Sequence, residues 1–203
     1  MSSRGTLSLI FGNMYSGKTT KINSELIEFS QKGFNVIKII HSCDDRPELE
    51  SNGYFGSTHN PLFKGLPCKI TCVKAATLNS VDVSSFEIIG VDEAQFFPDL
   101  YEVVKDWVDN KRKHVRVAGL DGDSNRQKFG QILDLIPLAD DCIKLRAKCK
   151  FCIDHLKSIG VDPDHYTSGY EAPFTKRIVE STEQVLVGGA SMYVPVCGYH
   201  YYS

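Results

Sequence analysis

The chain reads as an α/β protein: a parallel sheet carrying a phosphate-binding loop and covered by helices, followed by a small metal-binding lobe. Three observations predict this. Strand-like and helix-like stretches alternate through residues 1–147, the signature of a parallel sheet with helical crossovers. The run Gly12, Asn13, Met14, Tyr15, Ser16, Gly17, Lys18, Thr19 fits G-x-x-x-x-G-K-[ST] at every fixed position. From about Cys149 the alternation stops, and cysteines and a histidine recur at metal-ligand spacing in residues 148–203.

Each element has its own reason. Residues 6–11 are apolar and lead into the phosphate loop as a strand; residues 19–32 are amphipathic and leave it as a helix, with Gly33 placed to cap its end. Residues 35–40, 69–73, 86–91 and 115–119 are short apolar or β-branched runs of strand type. Pro98 opens a helix in which Leu100, Val103, Val104, Trp107 and Val108 form one buried stripe. Residues 132–138 predict a short helix ended near Pro137. Polar, glycine-containing stretches at 45–60 and 160–170 read as loops, and residues 148–203 show little helical period.

With 203 residues, 42% hydrophobic and 24% charged, the composition is that of an ordinary globular protein with room for a sizeable core. The net charge of −2 offers no basic excess for extended contact with nucleic acid. The sequence has no long apolar run and no leader-like start, so the expectation is a cytoplasmic protein with neither membrane nor nucleic acid as partner. Seven cysteines, an odd number beside a nucleotide loop, favour thiols and metal ligands over disulfides. Cys68, Cys72 and Cys142 neighbour strand-like runs and read as buried thiols.

The chemistry concentrates in two places. Backbone N–H groups of the loop and the following helix start can wrap a phosphate chain, Lys18 can neutralise its outer oxygens, and the Thr19 hydroxyl can reach magnesium. The apolar run 86–91 ends in Asp92 and Glu93. Strand ends gather at the ligand in such folds, so Asp92 is assigned to the magnesium ion and Glu93 to proton removal from a phosphoryl acceptor. The second place is the lobe. Cys149, Cys152, Cys197 and His200 make two pairs of C-x-x-ligand spacing, three thiolates and one imidazole for a structural zinc; His155 and His165 are alternative fourth ligands.

These pieces, in this order, resemble the cytosolic-type (type II) thymidine kinases over nearly the whole chain. The phosphate loop, the segment Asp92-Glu-Ala-Gln-Phe-Phe97, the segment Gly119-Leu-Asp-Gly-Asp123 with Arg126, Phe129 and Gly130, and Thr175-Lys-Arg177 with Val187-Gly-Gly-Ala190, Tyr193 and Cys197 carry the likeness. The resemblance implies transfer of the ATP γ-phosphoryl group to the 5′-hydroxyl of thymidine, with Glu93 as catalytic base. It implies an ATP set of Gly12 to Thr19, Asp44, Asp45, Arg46, Asp92 and Gln95. It implies a nucleoside set of Gln95, Ser124, Phe129, Tyr193 and the lasso-type lid residues Gln184, Val185, Leu186, Val187 and Gly188. A homotetramer and inhibition by dTTP are implied as well.

Two departures stand out. Ser124 occupies a position where the family carries an aromatic residue against the substrate, so that wall must come from elsewhere: Phe96, Phe97, Phe129 or Tyr15. Residues 153–169 form an insertion, expected as a surface excursion. Competing readings are a broader pyrimidine deoxynucleoside kinase, an ATP-driven nucleic acid-handling protein, and a non-catalytic nucleotide sensor.

Overall fold

The computed structural model describes residues 4–44, 69–163, 169–180 and 191–203, which form two compact units. The first comprises Met1–Phe11, Lys18–Gly119 and Gly130–Ile143; the second comprises Gly12–Gly17, Leu120–Phe129 and Lys144–Ser203.

The first unit is built on strands β1 (Thr6–Gly12), β2 (Val36–His41), β3 (Ile70–Ala75), β4 (Ile88–Asp92), β5 (His114–Gly119) and β6 (Asp141–Leu145). They form one sheet in the order β3-β2-β4-β5-β1-β6, and the pairs β1–β5, β2–β3, β2–β4 and β4–β5 are parallel. Side chains alternate between faces with a period of two. Leu7, Leu9, Ile37, Ile39, Ile89, Val91, Val115 and Val117 pack on one face with Leu100, Val104, Trp107 and Val108 of helix α2 (Leu100–Asp109). The intervening positions, among them Lys38, Gly90, Asp92 and Arg116, serve the face covered by helix α1 (Lys18–Gln31).

Packing of α1 is close. A Cβ on Gly90 would lie 2.4 Å from Leu26 Cδ1. Arg116 Nε meets Glu25 Oε2 at 3.0 Å. The helix stops where the sequence places its cap: Gly33, at φ 90°, donates to the Ser30 carbonyl, Phe34 N–H reaches the Phe29 carbonyl, and the two phenyl rings meet edge-on at 5.9 Å.

One expectation about this unit needs correction. Cys72 and Cys142 are exposed, because β3 and β6 are the two edges of the sheet; Cys68 lies outside the described residues. Residues Ile132–Leu138 form the expected short helix, a 3₁₀ helix that ends one residue after Pro137. Asp99 precedes α2 without a side-chain cap bond; its carboxylate accepts the N–H groups of Leu78 and Asn79 at 3.1 and 2.9 Å.

The second unit carries two antiparallel ribbons, β7 (Ala147–Lys148) with β8 (Glu171–Ala172) and β9 (Phe174–Arg177) with β10 (Tyr193–Val196). Ala147, Cys149, Ala172 and Val196 form its small core. Helices α3 (Lys150–Ser158) and α4 (Gly198–Tyr202) flank it in sequence. Helix α3 corrects the reading of this region as non-helical and takes up the start of the insertion. Leu156 is its buried residue, Lys150 pairs with Asp154 one turn on, and Gly160 at φ 76° ends it with the same two-bond pattern as Gly33. A lone buried position gives little apolar period, which is why the pattern did not announce a helix.

Candidate active site and metal centre

In the first unit the site forms where β4 meets the start of α1. Asp92, the last residue of β4, is buried at 2% exposure. Its Oδ1 accepts the Glu93 N–H at 3.0 Å and lies 3.5 Å from the Thr19 hydroxyl. Oδ2 meets Lys38 Nζ at 2.9 Å. Lys38 is itself buried in the middle of β2 and also donates to Asn23 Oδ1 of α1 at 2.7 Å. A carboxylate and a hydroxyl this close, on a strand end and a helix start, are a hard-oxygen donor set that fits magnesium.

Glu93 adopts the left-handed conformation, φ 52° and ψ 40°. A residue other than glycine is uncommon there and the conformation costs about 1–3 kcal/mol, a burden that concentrates at functional sites. Its carboxylate accepts a hydrogen bond of 2.8 Å from Gln95 Nε2. Gln95 is buried and its backbone is tightly backed: a Cβ on Gly130 would lie 2.2 Å from the Gln95 carbonyl oxygen. The turn therefore presents a carboxylate aimed by an amide, a geometry suited to removing a proton from an alcohol.

The phosphate loop begins in the second unit. Gly12 must be glycine, since a Cβ there would meet the Leu145 carbonyl oxygen at 2.2 Å. Asn13 is buried; its side chain donates to the Phe174 carbonyl at 3.2 Å and accepts from Ala147 N–H at 3.3 Å. Met14 N–H donates to the Thr175 hydroxyl at 3.0 Å, and Ser16 Oγ to the Asn13 carbonyl at 2.8 Å. Tyr15 is half exposed at φ 65° and Gly17 takes φ 87°. Lys18 and Thr19 open α1.

The segment expected near the nucleoside is a tight turn of the second unit. Asp123 Oδ1 accepts the N–H groups of Asn125 and Gln127 at 2.8 and 2.9 Å, and Gly122 pairs with Lys128. The Ser124 carbonyl accepts the Tyr201 hydroxyl at 2.8 Å. Arg126 lies over Tyr201, Tyr202 and Phe174 at 4.4, 4.9 and 5.4 Å. Phe129 and Tyr193 are buried, the latter under the Arg177 guanidinium. Of the aromatics offered as a replacement at Ser124, Phe97 is spent on the first unit's core and Phe96 stands beside His41. Tyr201 is the aromatic that reaches Ser124 itself, through its hydroxyl.

The four candidate metal ligands converge. Sγ of Cys149, Cys152 and Cys197 lie 3.4, 3.4 and 3.3 Å from His200 Nδ1, Cys152 and Cys197 Sγ are 3.9 Å apart, and all four ligand atoms fall within 4.8 Å of one another. A tetrahedral ion bonded at about 2.3 Å to sulfur and about 2.0 Å to nitrogen separates its ligand atoms by about 3.5–3.8 Å, so the set fits. Cys149 precedes α3 and Cys197 precedes α4, so two helix starts supply the cage. Burial and the adjacent thiols push the Cys152 thiol up to about 12. At Cys197 burial pushes upward too, but hydrogen bonds from the His200 backbone and ring and from the other thiols bring it down to about 7. His155 is exposed on α3 and stands outside the cluster.

Asp44 ends the described stretch after β2, its carbonyl accepting from Lys74 Nζ at 2.8 Å. Asp45, Arg46, His165, Gln184, Val185, Leu186, Val187 and Gly188 lie outside the described residues, and with them the lasso. The motifs do not point to Lys38 or Tyr201, and Thr175 entered only within a segment of family likeness, without a role. Lys38 had a signal, a charge in the middle of a β-branched run; Thr175 and Tyr201 act through contacts between segments far apart in sequence.

Comparison with known proteins gives a consistent picture. The family described as "Thymidine kinase" matches residues 5–161. A thymidine kinase of Oryza sativa subsp. japonica is 37% identical over 97% of this chain, which spans 66% of the rice protein's length. The cytosolic thymidine kinase of Gallus gallus is 32% identical over 96% of the chain and 75% of its own length. The thymidine kinase of vaccinia virus (strain Western Reserve) is 34% identical over 95% of the chain and 94% of its own length.

Proposed function

The chain belongs to the thymidine kinase family, and from that premise we propose that it transfers the γ-phosphoryl group of ATP to the 5′-hydroxyl of thymidine, giving dTMP and ADP. The observation that carries the proposal is Glu93, held left-handed directly after Asp92 with its carboxylate fixed by Gln95. In this reading Glu93 takes the proton of the 5′-hydroxyl as its oxygen attacks the γ-phosphorus. Lys18 and the loop from Gly12 to Gly17 hold the phosphate chain, and Arg46 adds positive charge. Thr19 and Asp92 would hold magnesium, which neutralises phosphate charge when bound. Positioning and charge neutralisation are most of what phosphoryl transfer asks of a protein.

We assign zinc to Cys149, Cys152, Cys197 and His200, with a structural role, since four protein ligands leave no open position. Nucleoside contacts are assigned to Gln95, Ser124, Phe129, Tyr193 and the lasso from Gln184 to Gly188. A homotetramer, inhibition by dTTP and a cytoplasmic setting follow from family resemblance. Among the described residues no helix is long and apolar enough to cross a membrane. Ser124 in place of an aromatic favours one variant, a kinase tolerant of several pyrimidine deoxynucleosides.

Incubation with Mg²⁺, ATP and a panel of deoxynucleosides tests the proposal. Formation of dTMP is expected. A panel without any monophosphate product would overturn it, and ATP turnover stimulated by DNA instead would identify a nucleic acid-handling protein.

A further inference from the structure

Lys38 is a buried cation that the reaction as described does not use. It lies at 4% exposure in a central strand, between Asn23 and Asp92, each 2% exposed. β2 and β4 are parallel with Lys38 opposite Gly90 and Ile40 opposite Asp92, so the lysine stem runs along the α1 face to the strand end. An ion pair so deep is poorly explained by stability. Desolvating two charges costs several kcal/mol per ion, and apolar replacements of similar volume are often neutral or stabilising. The position of the pair is specific: Lys38 holds Oδ2 of Asp92, while Oδ1 faces Thr19 and the Glu93 N–H.

We propose that Lys38 is a positioning residue for phosphoryl transfer: by pinning one oxygen of Asp92 it keeps the other turned toward Thr19 at the start of α1. Asn23 braces the lysine from α1, so the helix that begins with Lys18 and Thr19 also fixes the partner of the acid opposite them. The inference rests on the assignment of Asp92 to magnesium.

Four full-length proteins decide it: the parent, Lys38→Met, Asp92→Asn and the double variant. For each, kcat, KM for thymidine, the Mg²⁺ concentration giving half-maximal rate, and the unfolding midpoint without metal or nucleotide are measured. Lys38→Met is expected to lower kcat by about 10–100-fold and to raise the Mg²⁺ requirement, as loss of a ligand's support does. KM for thymidine should stay within about twofold, since the lysine acts through Asp92 and not on the nucleoside. In the Asp92→Asn background the same substitution should bring no further loss, because the two act as one. The double variant, lacking both buried charges, should unfold at or above the parent's midpoint, so the comparison survives even if Lys38→Met alone folds poorly. Parent-level kcat and Mg²⁺ requirement in Lys38→Met, or losses that multiply in the double variant, overturn the inference alone. Unimpaired turnover in Asp92→Asn overturns the Asp92 assignment and this inference together.

Discussion

At Glu93 the backbone pays for the position of a carboxylate. The left-handed turn is costly for glutamate and cheap for glycine, so Glu93→Gly is expected to raise stability by about 1 kcal/mol in denaturant unfolding while abolishing turnover. Glu93→Gln keeps the turn and the link to Gln95 but removes the carboxylate proposed as base. Its turnover should fall roughly 10²-fold or more with ATP binding retained by calorimetry; near-parent turnover would remove Glu93 from that role. Residues with a motif around them could be picked out of the sequence as candidates: Lys18, Thr19, Asp92, Glu93 and the set Cys149, Cys152, Cys197 and His200, which the structure brings together. Lys38 and Tyr201 could not, because no short pattern encodes a contact between β2 and β4 or between α4 and the turn at Ser124.

Among the elements, the strands and α2 were legible because their apolar runs and stripes are long relative to noise. The phosphate loop fixed the order of β1 and α1, and Gly33 marked the end of α1 through a hydrogen-bond pattern that only a positive φ allows. Helix α3 was hidden because its single buried residue, Leu156, leaves no stripe to count. The exposure of Cys72 and Cys142 was hidden for a different reason: local sequence does not say which strand becomes an edge. The contact between α1 and β4 depends on a missing side chain at Gly90. Gly90→Ala should push Leu26 from its buried place and destabilise the protein by about 1–3 kcal/mol, read as a shift in the urea midpoint. An unshifted midpoint would mean that α1 can move away without cost.

For the whole molecule, the two units rest on different forces. The sheet unit has a broad apolar core on one face of its sheet; the second unit has a small one and a cluster of metal ligands. Chelation should therefore raise hydrogen exchange in β9, β10 and α4 while the amides of β1, β4 and β5 stay protected. Uniform loss of protection would show instead that the metal holds the entire chain together. The fold class and the gathering of the three cysteines and the histidine were both legible in advance, whereas the way the phosphate loop shares hydrogen bonds with β9 belongs to tertiary structure alone. The lone tryptophan of the chain, Trp107, is sealed beneath the sheet, and this gives the protein an internal optical probe. Indole emission follows melting of the sheet, while the lobe, rich in tyrosine, stays nearly silent in that channel, so each half can be watched coming apart by its own colour of light.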